Sequence, residues 1–201
     1  MAIALAMVSY VLFYPSGARS QATVQGSWLQ SNKLDLSQWP PNIVEVAPVY
    51  DRQSNTASLR SKLAVCRFTY YDKKNNKFYY IPGFVWVSLG PNNKIIPSSC
   101  AGNYEGLNVQ SIVDTYELLV PGSYHWGGKD EKSHVIQGGG IYPDEGSKVY
   151  AICRVPGPQN PAIRAPDDYN MMAGAYYNNN CFYNSQLKSL DENNIQLLYG
   201  N

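Results

Sequence analysis

Short runs of apolar residues, some alternating with polar ones and some continuous, recur along the chain between clusters of turn formers. Val44, Val46 and Val49 alternate, Leu63, Val65 and Phe68 follow, and Tyr116 to Val120 and Tyr150 to Arg154 have the same character. A period of two sends successive side chains to opposite faces of a strand, so these runs predict β-structure. Between them lie Asp51 to Ser58, Asn75-Asn76, Gly90-Pro91-Asn92-Asn93 and Gly138-Gly139-Gly140, all turn chemistry. Only Ser185 to Asn194 has helical spacing. With Leu187 and Leu190 as its sole apolar positions, it predicts a turn or one short helix. The expected fold class is all-β.

The runs also match one another. Leu63-Ala64-Val65-Cys66-Arg67 aligns with Tyr150-Ala151-Ile152-Cys153-Arg154, Pro82-Gly83-Phe84 with Ala173-Gly174-Ala175, and Tyr116-Glu117-Leu118-Leu119-Val120 with Ile195-Gln196-Leu197-Leu198-Tyr199. Upstream, Trp39 with Val44, Val46 and Val49 parallels Trp126 with Val135 and Ile136. Four matches in one order predict an internal duplication, with a first unit at 21–122 and a second at 123–201. Each unit is too small to close a core well. The two are therefore expected to pack about a pseudo-two-fold axis into one domain.

Four cysteines fit the same duplication. Cys66 and Cys100 are 34 residues apart and Cys153 and Cys181 are 28 apart, with no Cys-x-x-Cys pair to hold a metal. The spacing predicts disulfides Cys66–Cys100 and Cys153–Cys181, each contributing about 3 kcal/mol in the chain-entropy description. An oxidising compartment is implied. Met1 to Ala22 points the same way: an apolar run from Ala2 to Phe13 is followed by Pro15 and Gly17, then by Ala18 and Ser20 at the positions a signal peptidase reads. Residues 1–20 are expected to be a signal peptide, despite lacking a basic start, and the protein to be secreted. The apolar run is too short for the roughly 20 residues of a membrane-spanning helix. No Asn-x-Ser/Thr sequon occurs.

Composition narrows the partners. Charged residues are 15% of the chain and the formal net charge is +1, so the clustered cationic surface that nucleic acid requires is not expected. The 17 Tyr, 16 Gly and 13 Pro match a chain of many short strands and turns. Low charge also leaves little repulsion between copies, which permits a homo-oligomer.

The order in each half is a Trp, an acidic or Gly-rich turn, Tyr-x-x-Cys-Arg or its equivalent, a Gly-centred segment and an apolar Tyr-Glu-Leu-Leu run. Carried by Trp126, Gly146, Tyr150, Arg154, Arg67, Pro82, Gly83, Tyr116, Glu117 and Leu118, this order resembles the DM-nine repeat proteins of insects and molluscs. The resemblance implies a tandem-repeat β protein, and some members are mannose-binding lectins of innate immunity. Their sugar site uses a Lys after Pro-Gly and an acidic turn before the Arg strand. Here the Lys positions hold Phe84 and Ala175, while the acidic turn persists as Asp144-Glu145-Gly146, with Asp51 a looser equivalent in the first half. The resemblance thus carries the fold further than the sugar site.

Binding a sugar without metal needs paired donors and acceptors for its hydroxyls and an aromatic face for its ring. Asp51, Glu105, Asp144 and Glu145 are the candidate carboxylates and Arg67 and Arg154 the candidate donors, near Tyr70, Tyr71, Tyr79, Tyr80, Tyr176, Tyr177 and Tyr183. The arginines have a structural alternative, an ion pair toward Glu117, and half the tyrosines are expected in the core. No catalytic residue, metal or cofactor is expected. His125 and His134, the only histidines, lack a hydrolase context, and the paired carboxylates Asp130-Glu131, Asp167-Asp168 and Asp191-Glu192 are sequence neighbours that a strand would send to opposite faces. The expected function is metal-free glycan recognition, with mannose-type sugars the first to consider. The alternative is a structural subunit of an extracellular matrix, coat or adhesive.

Overall fold

The computed structural model describes residues 23–33, 41–51, 53, 56–90, 95–104, 107–111, 115–131, 133–142, 150–156, 171–183 and 194–200. The expected leader at 1–20, Trp39, and nearly all of the Ser185 to Asn194 stretch lie outside these residues. In chain order the strands are β1 (Thr23–Gln25), β2 (Trp28–Gln30), β3 (Glu45–Asp51), β4 (Thr56–Asp72), β5 (Lys77–Leu89), β6 (Ile95–Pro97), β7 (Ala101–Tyr104), β8 (Leu107–Gln110), β9 (Tyr116–Leu119), β10 (Tyr124–Gly128), β11 (His134–Tyr142), β12 (Tyr150–Pro156), β13 (Met171–Tyr177), β14 (Asn180–Phe182) and β15 (Gln196–Gly200). A short 3-10 turn lies at Ser31–Lys33. The all-β expectation is met.

The strands join in the order β14-β13-β12-β15-β11-β5-β4-β9-β2, with the remaining strands pairing off this path. Pairing is antiparallel throughout except for the short parallel contact of β1 with β11. The longest feature is the β4–β5 hairpin, in register from Ser61↔Ser88 to Asp72↔Lys77. Strand β11 links the two strand groups, pairing with β12 and β15 along its first part and with β5 through Gly140↔Tyr80, Ile141↔Tyr79 and Tyr142↔Phe78. Gly138 to Gly140, expected in a turn, therefore lie inside a strand. The reason is crowding: a Cβ on Gly138 would press on Ile152 and Pro82, and one on Gly139 would overlap the Tyr80 carbonyl oxygen.

Register around the cysteines takes the same form in both groups. In the first, Cys66 stands opposite Gly83 and Leu118, and Arg67 opposite Glu117. In the second, Cys153 stands opposite Gly174 and Leu197, and Arg154 opposite Gln196. Gly83 and Gly174 are where the next segment closes over the strand. A Cβ on Gly83 would overlap the Ala101 carbonyl oxygen, and one on Gly174 the Phe182 carbonyl oxygen. The closure brings Cys100 to a Cα–Cα distance of 6.1 Å from Cys66, and Cys181 to 5.8 Å from Cys153. Two strands apart in a flat sheet would be roughly 10 Å. Both disulfides form with the expected pairing.

The hairpin has one face on the core. Ala64, Cys66, Phe68, Ile81 and Val85 pack there with Cys100 and Tyr104, joined by Tyr150 and Ala175 of the second group. On the opposite face the described residues cover the middle, where Leu63 and Val65 pack with Ile136, Ile152, Ala173 and Leu198. Strand β3 enters that second cluster through Val46 and Ala47, beside Met171 and Ala173 of β13.

Replacing Gly83 or Gly174 by Ala is expected to cost about 1–3 kcal/mol, because a carbonyl in a paired strand cannot move aside. Gly128→Ala, at a position with nothing near the new methyl, is the control. Urea midpoints at constant m-value read the difference.

Candidate functional site

On the partly covered face of the hairpin the side chains follow from register. Odd positions of β4 and even positions of β5 share it, since Leu63 opposes Trp86, Arg67 opposes Pro82, Thr69 opposes Tyr80 and Tyr71 opposes Phe78. Strand β9 adds Glu117 opposite Arg67, and β2 adds Gln30 opposite Glu117. Gln30, Glu117 and Arg67 thus form one polar row across three strands, with Trp28 two residues from Gln30 on the same side.

Arg67 ends this row, with Glu117 between it and Gln30. Its Nε donates to Glu117 Oε2 at 2.5 Å, and Gln30 Nε2 donates to Glu117 Oε1 at 2.8 Å. Its guanidinium carbon lies 4.2 Å from the Trp28 ring centroid and 4.6 Å from that of Tyr80. Trp28 and Tyr80 come from strands on the two flanks of β4, so the cation is held from both sides. About a fifth of each partner's side chain stays accessible, 21% for Arg67 and 18% for Glu117. Among the described residues the two outer nitrogens of Arg67 make no hydrogen bond.

Arg154 has matching neighbours but a different fate. Its guanidinium carbon is 4.6 Å from the Trp126 centroid, and Nε donates to Gln196 Oε1 at 2.7 Å. Its Nη1, however, donates to the Val46 carbonyl at 2.5 Å, so β3 seals it. An uncharged amide takes the place that Glu117 holds beside Arg67.

Beyond Tyr80 the same face ends in the hairpin tip. Asn76 adopts a left-handed φ of 52°, which Asn tolerates, and accepts the Tyr71 hydroxyl at 2.5 Å. Asp72 turns inward and is buried. Its carboxylate accepts Lys74 N at 2.9 Å, Asn75 Nδ2 at 2.5 Å and Tyr104 Oη at 3.0 Å. Burial pushes this carboxyl up, but the bonds from Tyr104, Lys74 and Asn75 together outweigh it and hold it below its ordinary 3.8.

Of the expected ligand residues, the three that are described, Asp51, Arg67 and Arg154, are not gathered. Asp51 closes the β3–β4 turn opposite Thr56 and accepts Gln53 N at 3.0 Å. It sits 11 positions along β4 from Arg67, roughly 37 Å in an extended strand. Glu105, Asp144 and Glu145 lie outside the described residues. Arg67 and Arg154 stand on separate strands with separate partners. The tyrosines divide by face: Tyr71 and Tyr80 face outward on the partly open side, while Tyr70 and Tyr79 pack on Tyr104 at centroid distances of 5.0 and 4.7 Å. In the second group Tyr177 packs between Tyr150 and Phe182.

Sequence matching paired Trp126 with Trp39. Trp39 lies outside the described residues, and among the described ones Trp28 opposes Leu119 as Trp126 opposes Leu198. The signal that finds Trp28 is its distance from the Tyr-Glu-Leu-Leu strand in pairing, not in sequence. His125 meets Glu131 at 2.6 Å, and Ser133 donates to the same carboxylate oxygen at 2.6 Å. The hydroxyl is spent on the carboxylate and not aimed at the imidazole, so the trio fastens the β10–β11 turn and lacks the contact that nucleophile activation needs. Among the described residues no group of three or more His, Cys, Asp or Glu could hold a metal ion, and no helix is long and apolar enough to cross a membrane. Comparison with family models, curated proteins and solved structures gives no match.

The lowered Asp72 carboxyl sets a pH dependence. A folded pKa below the unfolded one adds stability above the unfolded value of 3.8 and loses it as pH falls through the folded value. Asp72→Asn, measured by urea unfolding from about pH 5 to about pH 2, is expected to be less stable at the upper end and to show a flatter acid limb than the parent.

Proposed function

We propose that the protein is an extracellular carbohydrate-recognition protein that binds glycans without metal, on the face of the β4–β5 hairpin that carries Arg67. We further infer that it is built from two copies of one β unit packed about a pseudo-two-fold axis. The duplication is supported by the paired registers: Cys66, Arg67, Gly83, Leu118 and Trp28 stand to one another as Cys153, Arg154, Gly174, Leu197 and Trp126 do. Packing supports it as well, because β11 joins β5 of the first group while β3 packs beside β13 of the second. Two disulfides fit an oxidising compartment.

The observation that carries the binding reading is the difference between the two arginines. Both lie on a Trp and use Nε for a neighbouring side chain. Arg154 is closed off by the Val46 carbonyl, whereas among the described residues the outer nitrogens of Arg67 are uncommitted beside a carboxylate and the Gln30 amide. Donors and acceptors fixed side by side next to aromatic rings are what vicinal hydroxyls of a sugar require. Rings and ion pair set the geometry before a ligand arrives, which lowers the entropic cost of binding.

A glycan array with the full chain is the first test, mannose-type sugars included. Arg67→Lys keeps the charge but loses the planar fork, and is expected to lower affinity by about tenfold or more. Glu117→Gln copies the arrangement at Arg154, so it should fold normally while weakening binding. No binding to any glycan, or binding untouched by both substitutions, refutes the reading.

The assembly-subunit alternative has its own support at the far end of the same face. Leu59, Trp86 and Ile96 are exposed there, Leu59 to 83%. Sedimentation velocity decides it: self-association at about 1 mM that Trp86→Ser abolishes would favour assembly over glycan binding.

A further inference from the structure

The tip of the β4–β5 hairpin joins two properties that neither the glycan reading nor the core explains. First, it concentrates cations. Lys73, Lys74 and Lys77 lie within one turn and all are exposed, in a chain whose whole formal charge is +1. The only carboxylate in that turn, Asp72, is buried and accepts hydrogen bonds from Lys74 N, Asn75 and Tyr104. Among the described residues none of the three lysines has an ion-pair partner.

Second, it exposes aromatic surface beside those cations. Tyr71 and Phe78 oppose one another in the last outward-facing pair before the turn, with ring centroids 4.9 Å apart. They are 42% and 49% exposed. Phe78 carries no polar atom to satisfy in water. The tip is held rigid by the Tyr71–Asn76 and Asp72 hydrogen bonds, so the rings stay outward and do not fold back onto the sheet.

We propose that this tip docks on an anionic lipid bilayer, the lysines meeting the headgroup charge while Phe78 and the Tyr71 ring enter the interface. The chemistry of each part fits one occupant. Lysines at a negatively charged surface gain attraction that salt screens, their stems lying over apolar material while the ammonium groups stay wet. Aromatic rings settle at the level of the headgroups, Tyr with its hydroxyl in the wet layer. A sulfated polyanion would use the lysines but gives a bare phenyl ring no apolar phase to enter. The ring thus selects the bilayer over the soluble polyanion. With three cations and two rings the contact is weak and reversible, as a surface contact without a lipid anchor should be.

Cosedimentation of the full, disulfide-intact chain with vesicles tests this. Vesicles of phosphatidylcholine alone are compared with vesicles containing about 30% phosphatidylserine. Binding is expected only to the second kind and is expected to fall as salt rises. Each neutralised lysine, in Lys73→Gln or Lys74→Gln, should cost about fivefold, the ratio that corresponds to roughly 1 kcal/mol per cation at such a surface. Phe78→Ala should weaken binding with all lysines in place, and Phe78→Trp should shift its fluorescence to the blue on vesicles. All these positions are exposed, and far-ultraviolet circular dichroism confirms that the variants fold. Failure to bind phosphatidylserine vesicles, equal binding to both vesicle types, or no effect of Phe78→Ala overturns the proposal. So does binding to heparin that matches or exceeds binding to vesicles and is indifferent to Phe78.

Discussion

Where the Ala101 carbonyl settles over Gly83, and the Phe182 carbonyl over Gly174, the backbone comes nearer than any side chain would allow. That approach folds the second cysteine of each pair back over the strand and makes the disulfides reachable. It also commits one face of β5 to the core, because β7 now lies across it. Among the described residues the opposite face receives its cover around Leu63 and Val65, from the second strand group together with Val46, Ala47 and Leu119. Strand β4 has 17 residues, about 58 Å when extended. This exceeds the span covered by that group, so both ends of the hairpin project, and the five large exposed hydrophobics of the described residues all lie on the uncovered face.

The arginines show how one local arrangement serves two ends. Each guanidinium lies on a Trp that reaches it across the strand carrying its Nε acceptor, and stacking leaves the nitrogens free to bond in the ring plane. Beside Arg154 the acceptor of Nε is a neutral amide, and a main-chain carbonyl takes another donor. Beside Arg67 a carboxylate supplies the counter-charge at the half-buried surface. A half-buried pair loses part of its hydration and regains it from its own contact. Among the described residues its outer donors are not consumed.

The strand class and the cysteine partners were legible in the sequence, because period-two runs and the similar spacings of 34 and 28 residues are local signals. The ion pair of Arg67 with Glu117 was legible as well, as the structural alternative to a ligand contact. Gly138 to Gly140 misled because a glycine cluster is the usual mark of a turn, and only three-dimensional crowding by Ile152, Pro82 and Tyr80 makes glycine the requirement inside a strand. The division of Tyr70 from Tyr71, one core and one surface, depends on which face β7 covers, and no pattern of residue types states that.

Both outward-facing features belong to one rigid ribbon. Arg67 and Tyr71 are four residues apart on the same face of β4, roughly 14 Å. An element anchored at its tip therefore holds the polar row at a fixed distance from whatever the tip touches. If the tip meets a bilayer, the row lies beside the headgroup layer, within reach of sugars attached to lipids or projecting from the same surface. Two weak contacts on one stiff support act as one stronger contact, since the second forms at the high effective concentration set by the first. The disulfide from Cys66, one residue from Arg67, keeps that support from fraying when either contact is pulled.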